Sequence, residues 1–274
     1  MAFIDNQLWE YKNLIEKSIK EGGKDGKASM IKSSKPINLI HDAVKYELKK
    51  EGVNPEQVFP AFKESSPEIK LAGHFKKKNQ DVCVLPKGID KEQTAIDWGP
   101  MKYIGAQDEY GYDFSERTLV INVRSQMSSV AKNIDTLFER TFAEALNLHI
   151  RYPDMVLGEV YLIPVYEYDD DAVNNCEVDF KTKPVDVERY ISFFNEINNR
   201  KQKDEGYKYE RVALLIVDFS FDRPLLFKNN EELKEYGIIS DDFEIEYSTL
   251  SFETFARDII NIYRQRFDVG NLLK

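Results

Sequence analysis

Cysteine and histidine are scarce: the 274 residues include two of the first and three of the second. Cys83 and Cys176 lie far apart in sequence, without the spacing of a disulfide framework or a zinc site, so the expectation is two buried thiols in a reducing compartment. His41, His74 and His149 stand singly, with no HxH or HExxH spacing, which makes zinc unexpected. No Gly-x-Gly-x-x-Gly or Walker-type loop occurs. Gly22-Gly23-Lys24-Asp25-Gly26-Lys27 lacks both the spacing and a preceding strand, so no nucleotide cofactor is expected. No stretch approaches the ~20 apolar residues that a membrane span needs. The start, MAFIDNQLWEY, carries acids and no apolar leader core, which leads to the expectation of a soluble, cytoplasmic protein. Positive charge is in deficit as well. Lys and Arg total 38 against 48 Asp and Glu, a net charge of -10, which argues against non-specific coating of nucleic acid but leaves room for a local basic groove.

With 42% hydrophobic residues, the chain can bury a sizeable core, and the expectation is one domain over residues 1–274 with a helical N-terminal part, 1–55, packed on it. Apolar residues at helical spacing mark a helix from Asn6 to Lys20, stopped by Glu21-Gly22-Gly23 and followed by a polar loop, and a second helix from about Pro36 to Lys50. Prolines make 54–67 a connector. The runs 68–75 and 81–85, separated by Lys76-Lys77-Lys78-Asn79-Gln80, read as a β-hairpin with a positively charged tip. Residues 87–117 read as a long irregular loop rich in Gly and aromatic residues, of the kind that is usually functional. Buried strands are expected at 156–165 and 212–219 and helices at 185–199, 231–236 and 252–266. Asp169-Asp170-Asp171 reads as a solvated acidic turn.

The chain is organised around Thr118 to His149. The β-branched run Leu119-Val120-Ile121-Asn122-Val123 passes through a polar turn, Arg124 to Ser129, into an amphipathic helix. The whole therefore reads as an α/β fold: a mixed central sheet with an antiparallel hairpin and a parallel crossover, flanked by helices. In open α/β sheets, ligands bind in the crevice at the carboxyl ends of strands, so this junction is where chemistry is expected. Alternation along the strand points Asn122 and Arg124 the same way, and Asp81, at the start of a neighbouring strand, can face the same crevice. Carboxylates there could hold a divalent cation, with a polar or cationic group beside a phosphate.

Asp81, the run Asn122-Val123-Arg124-Ser125-Gln126, Ser128-Ser129, Lys132-Asn133 and Glu139 together resemble the PD-(D/E)xK nuclease superfamily, in particular type II restriction endonucleases. The resemblance covers about residues 64–166. It implies a restriction-endonuclease-like fold and Mg²⁺-dependent, sequence-specific hydrolysis of double-stranded DNA, with a two-fold dimer as the geometry for cutting both strands. Two positions depart from it: Asn122 stands where the family has an acid, and Arg124 where it has Lys. Asn offers only a neutral oxygen to a hard cation, and Arg stays protonated, so it suits a phosphate but not the role of general base. The resemblance then makes Glu139, 15 residues after Arg124, the migrated acid, with Glu144 as second candidate. On this reading Asp81 and Glu139 bind Mg²⁺, Asn122 assists, and Arg124 and Gln126 lie near the scissile phosphate.

The structural alternatives are an Arg124–Glu139 ion pair at the junction, Asp81 as an ordinary hairpin-end residue, and His74 as its cross-strand partner if the turn centres on Lys77-Lys78. Phosphate contacts are expected from Lys76, Lys77 and Lys78, and from the segment carrying Lys24, Lys27, Lys32 and Lys35. Gln93, Lys102, Gln107 and Tyr110 offer base-edge readers. Two other functions fit the same residues: a catalytically inactive nuclease-fold subunit for DNA recognition or assembly, for which Asn122 and Arg124 argue directly, and an unrelated α/β protein whose acidic surface binds a protein partner.

Overall fold

The protein is seen in a computed structural model that describes residues 2–267. Helices α1 (Phe3–Lys32) and α2 (Lys35–Lys50) open the chain. There follow β1 (Val58–Phe59), the hairpin β2 (Ile69–Ala72) and β3 (Lys77–Gln80), and then β4 (Val82–Val84). The next stretch holds β5 (Thr94–Ala95), α3 (Gly99–Tyr103), β6 (Gln107–Asp108) and α4 (Tyr112–Glu116). The central unit is β7 (Leu119–Ser125), α5 (Val130–His149) and β8 (Leu157–Pro164). The chain continues through α6 (Asp170–Asn174), α7 (Val187–Glu196), β9 (Arg211–Asp218), β10 (Leu225–Leu226), α8 (Asn230–Glu235) and α9 (Phe252–Arg266).

Six strands form the main sheet in the order β1-β4-β7-β8-β9-β10. β4 runs antiparallel to β1 and β7, α5 carries the chain over to β8 parallel to β7, β9 is parallel to β8, and β10 returns antiparallel to β9. The fold is thus α/β with a mixed sheet flanked by helices. β8 and β9 are buried along their whole length, as strands covered on both faces must be. Alternate side chains feed two cores. Ile121, Val123, Val160, Leu162, Ala213 and Leu215 pack under α1, α2 and α9. Val120, Tyr161, Ile163, Leu214 and Ile216 pack under α5 and α7. Gly158 lets α9 approach closely, since a Cβ there would lie 2.7 Å from Ile259 Cδ1 and 2.8 Å from Phe255 Cζ. Among the described residues no helix is long and apolar enough to cross a membrane.

Several expectations are corrected. The first helix does not end at Gly22. The chain kinks through Gly22 (φ -149°, ψ 15°) and Gly23 (φ 53°, ψ -134°) and resumes helix to Lys32, because Gly23 supplies a left-handed turn that costs other residues more. The hairpin is shorter than its two apolar runs suggested. β2 pairs with β3 in a separate two-stranded sheet, with Leu71 opposite Lys78 and Ile69 opposite Gln80, while β4 belongs to the main sheet. Asp81 stands between the two sheets. The turn therefore lies at Gly73–Lys76, and His74 does not face Asp81: its N–H donates to the Asn147 carbonyl at 2.6 Å and its ring packs 5.0 Å from Trp98. The stretch 87–117 is not irregular throughout, since it folds into the β5/β6 pair and two one-turn helices. Asp169-Asp170-Asp171 is the start of α6 rather than a turn, with the Asp169 side chain capping it by accepting from the Asp171 and Ala172 N–H groups. Of the two cysteines expected to be buried, Cys176 is exposed.

Candidate active site

From the middle of β7 onward, Asn122 and Arg124 point to the α5 side of the sheet, as alternation requires. Parallel pairing sets Asn122 beside Glu159 and Arg124 beside Tyr161 of β8. Glu159 is completely buried and Asn122 is 2% exposed. The Arg124 guanidinium lies between two acids: Nη2 is ion-paired to Glu144 of α5, and Nη1 stands 3.2 Å from Glu159 Oε1. It also donates to Thr141 Oγ1 at 3.3 Å. Glu144 is further held by Lys78 Nζ at 2.7 Å and by Arg140 Nε at 3.2 Å. At the near edge of this cluster, Asp81 Oδ2 accepts the Val123 N–H at 2.8 Å, which ties the junction before β4 to the middle of β7.

The cluster's electrostatics follow from that packing. Burial pushes the Glu159 carboxyl up from its ordinary value, Arg124 and Lys78 pull it back, and the neighbouring Asp81 pushes it up again. Lys78 is drawn down to about 8, first by burial and then by the positive charge of Arg124, against the opposing pull of Asp81 and Glu159. Asn122 Oδ1 and both Glu159 oxygens are buried without a well-aligned hydrogen-bond donor. Buried oxygens are costly to leave unpaired; the nearby Arg124 offsets part of that cost, and a bound cation is another group that would. Among the described residues no group of three or more His, Cys, Asp or Glu has the arrangement of a metal site. The cluster holds three carboxylates, Asp81, Glu144 and Glu159; Glu144 is taken up by Arg124, Lys78 and Arg140, which leaves Asp81, Glu159 and the Asn122 amide as the oxygen donors that could serve a hard ion such as Mg²⁺.

Beside the cluster opens a cleft of about 620 Å³, walled by the end of α1, the start of α2, the end of β7 and the first turns of α5. Lys32, Arg124, Gln126, Asn133, Arg140 and Tyr161 are among its lining residues, and no carboxylate is. In a chain of net charge -10, this is a place where an anion is favoured.

Of the sequence-derived site residues, Asp81, Asn122 and Arg124 come together, and Gln126 lies at the cleft. Glu139 does not join them. It is exposed, and the five-residue step to Glu144 puts it about 140° round the helix from the acid that meets Arg124. The basic hairpin divides: Lys78 enters the cluster, Lys77 pairs with Glu109 at 3.0 Å, and Lys76 is exposed. Lys32 borders the cleft, whereas Lys35 borders a separate hollow beside Ser18 and Gly26. Gln93, Lys102 and Gln107 are exposed, and Tyr110 is half-buried under Lys91. The sequence reading missed Glu159 altogether, although it is the one acid within the apolar run 156–165, where an acid without a partner would be expensive.

No family model matches this chain, and no curated protein and no solved structure is detectably similar to it.

Proposed function

We propose that the protein is a Mg²⁺-dependent endonuclease acting on double-stranded DNA, of the restriction type, with a rearranged catalytic cluster. One observation carries this reading. The acid and the lysine absent from Asn122-Val123-Arg124 are present in space, as Glu159 beside Asn122 and Lys78 next to Arg124, with Asp81 at the same edge. An antiparallel β1-β4-β7 meander followed by a helical crossover to a parallel strand is also the strand arrangement that the resemblance implies. Asp81, Asn122 and Glu159 are the residues that would hold the ion. A divalent cation in such a site neutralises phosphoryl charge and activates water.

The chain's own groups divide the remaining work. Lys78, drawn down to about 8, has an appreciable neutral fraction near physiological pH, so its Nζ can take a proton from an attacking water and return it to the leaving oxygen. Arg124 keeps its charge, orients Glu144 and Glu159, and presents positive charge to the cleft. Lys32 and Arg140 bind backbone phosphates without reading sequence. A two-fold dimer, with one cluster per strand, is the proposed working form.

A second reading is favoured by a different fact. The guanidinium of Arg124 already sits between Glu144 and Glu159, where a metal's charge would act, and this fits a nuclease-fold subunit that binds DNA without cutting it. Incubating unmethylated duplex DNA with the protein in Mg²⁺ and in EDTA separates the two. Discrete fragments that vanish in EDTA, and in Asp81→Asn and Glu159→Gln, are expected. A gel shift with no cutting in Mg²⁺ would replace the first reading by the second, and the lack of both would remove each, leaving a protein-binding role for the acidic surface.

A further inference from the structure

Helix α1 is two helices with different surroundings. Before the kink, Leu8, Ile15 and Ile19 are fully buried in the core. After Gly23, the only buried side chain is that of Lys27, a group that burial disfavours and that is offset by the Tyr168 ring at 5.4 Å. The second half is bordered by empty space on several sides: the cleft, a hollow of about 310 Å³ against Ser18 and Gly26, and another of about 210 Å³ against Ser129 and Asp170. Both its ends depart from helical geometry. Gly22 and Gly23 leave the helical region at one end, and Ser33 is extended (φ -71°, ψ 151°) at the other. A segment held by the half-buried Met30 and Ile31, by Gly26 against Ser18 and by a desolvated lysine, with no fully buried apolar side chain of its own and a break in helical geometry at each end, is less firmly fixed than the first half of the helix. Its cleft-facing end carries Lys32, and Arg140 stands on the α5 wall of the same cleft with its side chain 65% exposed.

We infer that residues 24–34 form a hinged arm that closes over the cleft onto a nucleic-acid strand, bringing Lys32 and Arg140 against its phosphates from opposite walls. This rests on the DNA-binding part of the function proposed above but not on cleavage. Closure exchanges the hollows beside the arm for contact with the strand, and the released counterions favour the closed form at low salt.

The test uses the full chain and a fluorescein-labelled random-sequence duplex in EDTA, so that binding is read without cutting. Hydrogen–deuterium exchange of residues 24–34 is expected to slow when duplex is added, while exchange of the first half of α1 stays unchanged. In fluorescence anisotropy, Lys32→Ala with Arg140→Ala is expected to weaken binding about tenfold at low salt and to lower the salt slope by about 2. Lys17→Ala, on the exposed face of the first half, serves as the control and should change neither. DNA that binds with unchanged exchange in the arm, or with the same salt slope in the double variant, overturns the arm even if the protein cleaves. Binding with a protected arm but no cleavage in Mg²⁺ keeps the arm and removes the nuclease, and no binding at all overturns both.

Discussion

Replacing Arg124 by Met isolates the central electrostatic contact. The substitution keeps most of the side chain's length and removes the cation in direct contact with Glu159, leaving the weaker pull of Lys78, while Glu144 retains Lys78 and Arg140. The loss therefore falls on Glu159, which is fully buried with no aligned donor. A unit-charge pair at the observed 3.2 Å is worth about 5 kcal/mol at an effective dielectric of about 20, and stripping one partner from a buried pair typically costs ~3–5 kcal/mol. Urea denaturation at neutral pH should register a loss of that size. The pH dependence has a definite sign. Glu159 is already raised above its unfolded value, so its contribution to stability is present below the unfolded pKa and is lost as pH rises through the folded one. Without Arg124 the folded value rises further, and the deficit of the variant should shrink as pH falls from about 8 to about 5. Glu159→Gln added to Arg124→Met should restore most of the stability. A loss below about 1 kcal/mol, or one that is the same at both ends of the pH range, would refute the account of this cluster.

Glu210 behaves in the opposite sense. Burial pushes it up, but His149, Arg266 and the Leu157 N–H hold it down to about 2, so its stabilisation of ~3 kcal/mol is complete above about pH 4.3 and is lost as pH falls towards 2. Thermal melts of wild type and Glu210→Gln should therefore converge in acid and separate near neutrality. Gly158→Ala drives a methyl into Ile259 and Phe255 and should cost ~1–3 kcal/mol in urea titrations, with α9 losing hydrogen-exchange protection first. In cleavage assays Glu139→Gln is expected to retain wild-type rates while Glu159→Gln loses activity by orders of magnitude; the reverse result would return the metal to the outer face of α5.

Much of the scaffold was legible because it depends on local pattern. The apolar runs of β7, β8 and β9 and the amphipathic periods of α2, α5, α7 and α9 agree with the sequence expectations to within a few residues. What escaped was non-local or lay in the backbone. A Gly pair looks like a stop whether the chain ends a helix there or bends and resumes it, and the choice is made by what Gly26 and Lys27 then pack against. The hairpin's register was misjudged because lysines were assigned to the turn, although the stem of Lys78 crosses to Glu144 and makes a strand position acceptable. Glu159 was invisible as a site residue because its neighbour Asn122 lies 37 positions earlier, and only the β7–β8 register brings them together. That Asp81 and the Asn122–Arg124 pair share one edge was legible because Asp81 opens a strand and the pair lies in the run that leads into the polar turn.

The sheet also has unusual ends for so apolar a centre. β8 and β9 have eight residues each and would be strong templates for pairing with another chain, yet they occupy interior positions, while the outermost strands, β1 and β10, have two residues apiece and β1 runs directly into Pro60. Edge-to-edge growth of the native sheet has almost no backbone to attach to. Self-association through β structure therefore requires a partly opened chain in which an outer strand has come away and β9 or β4 lies bare, so precipitation should track the unfolded fraction rather than the protein's concentration alone.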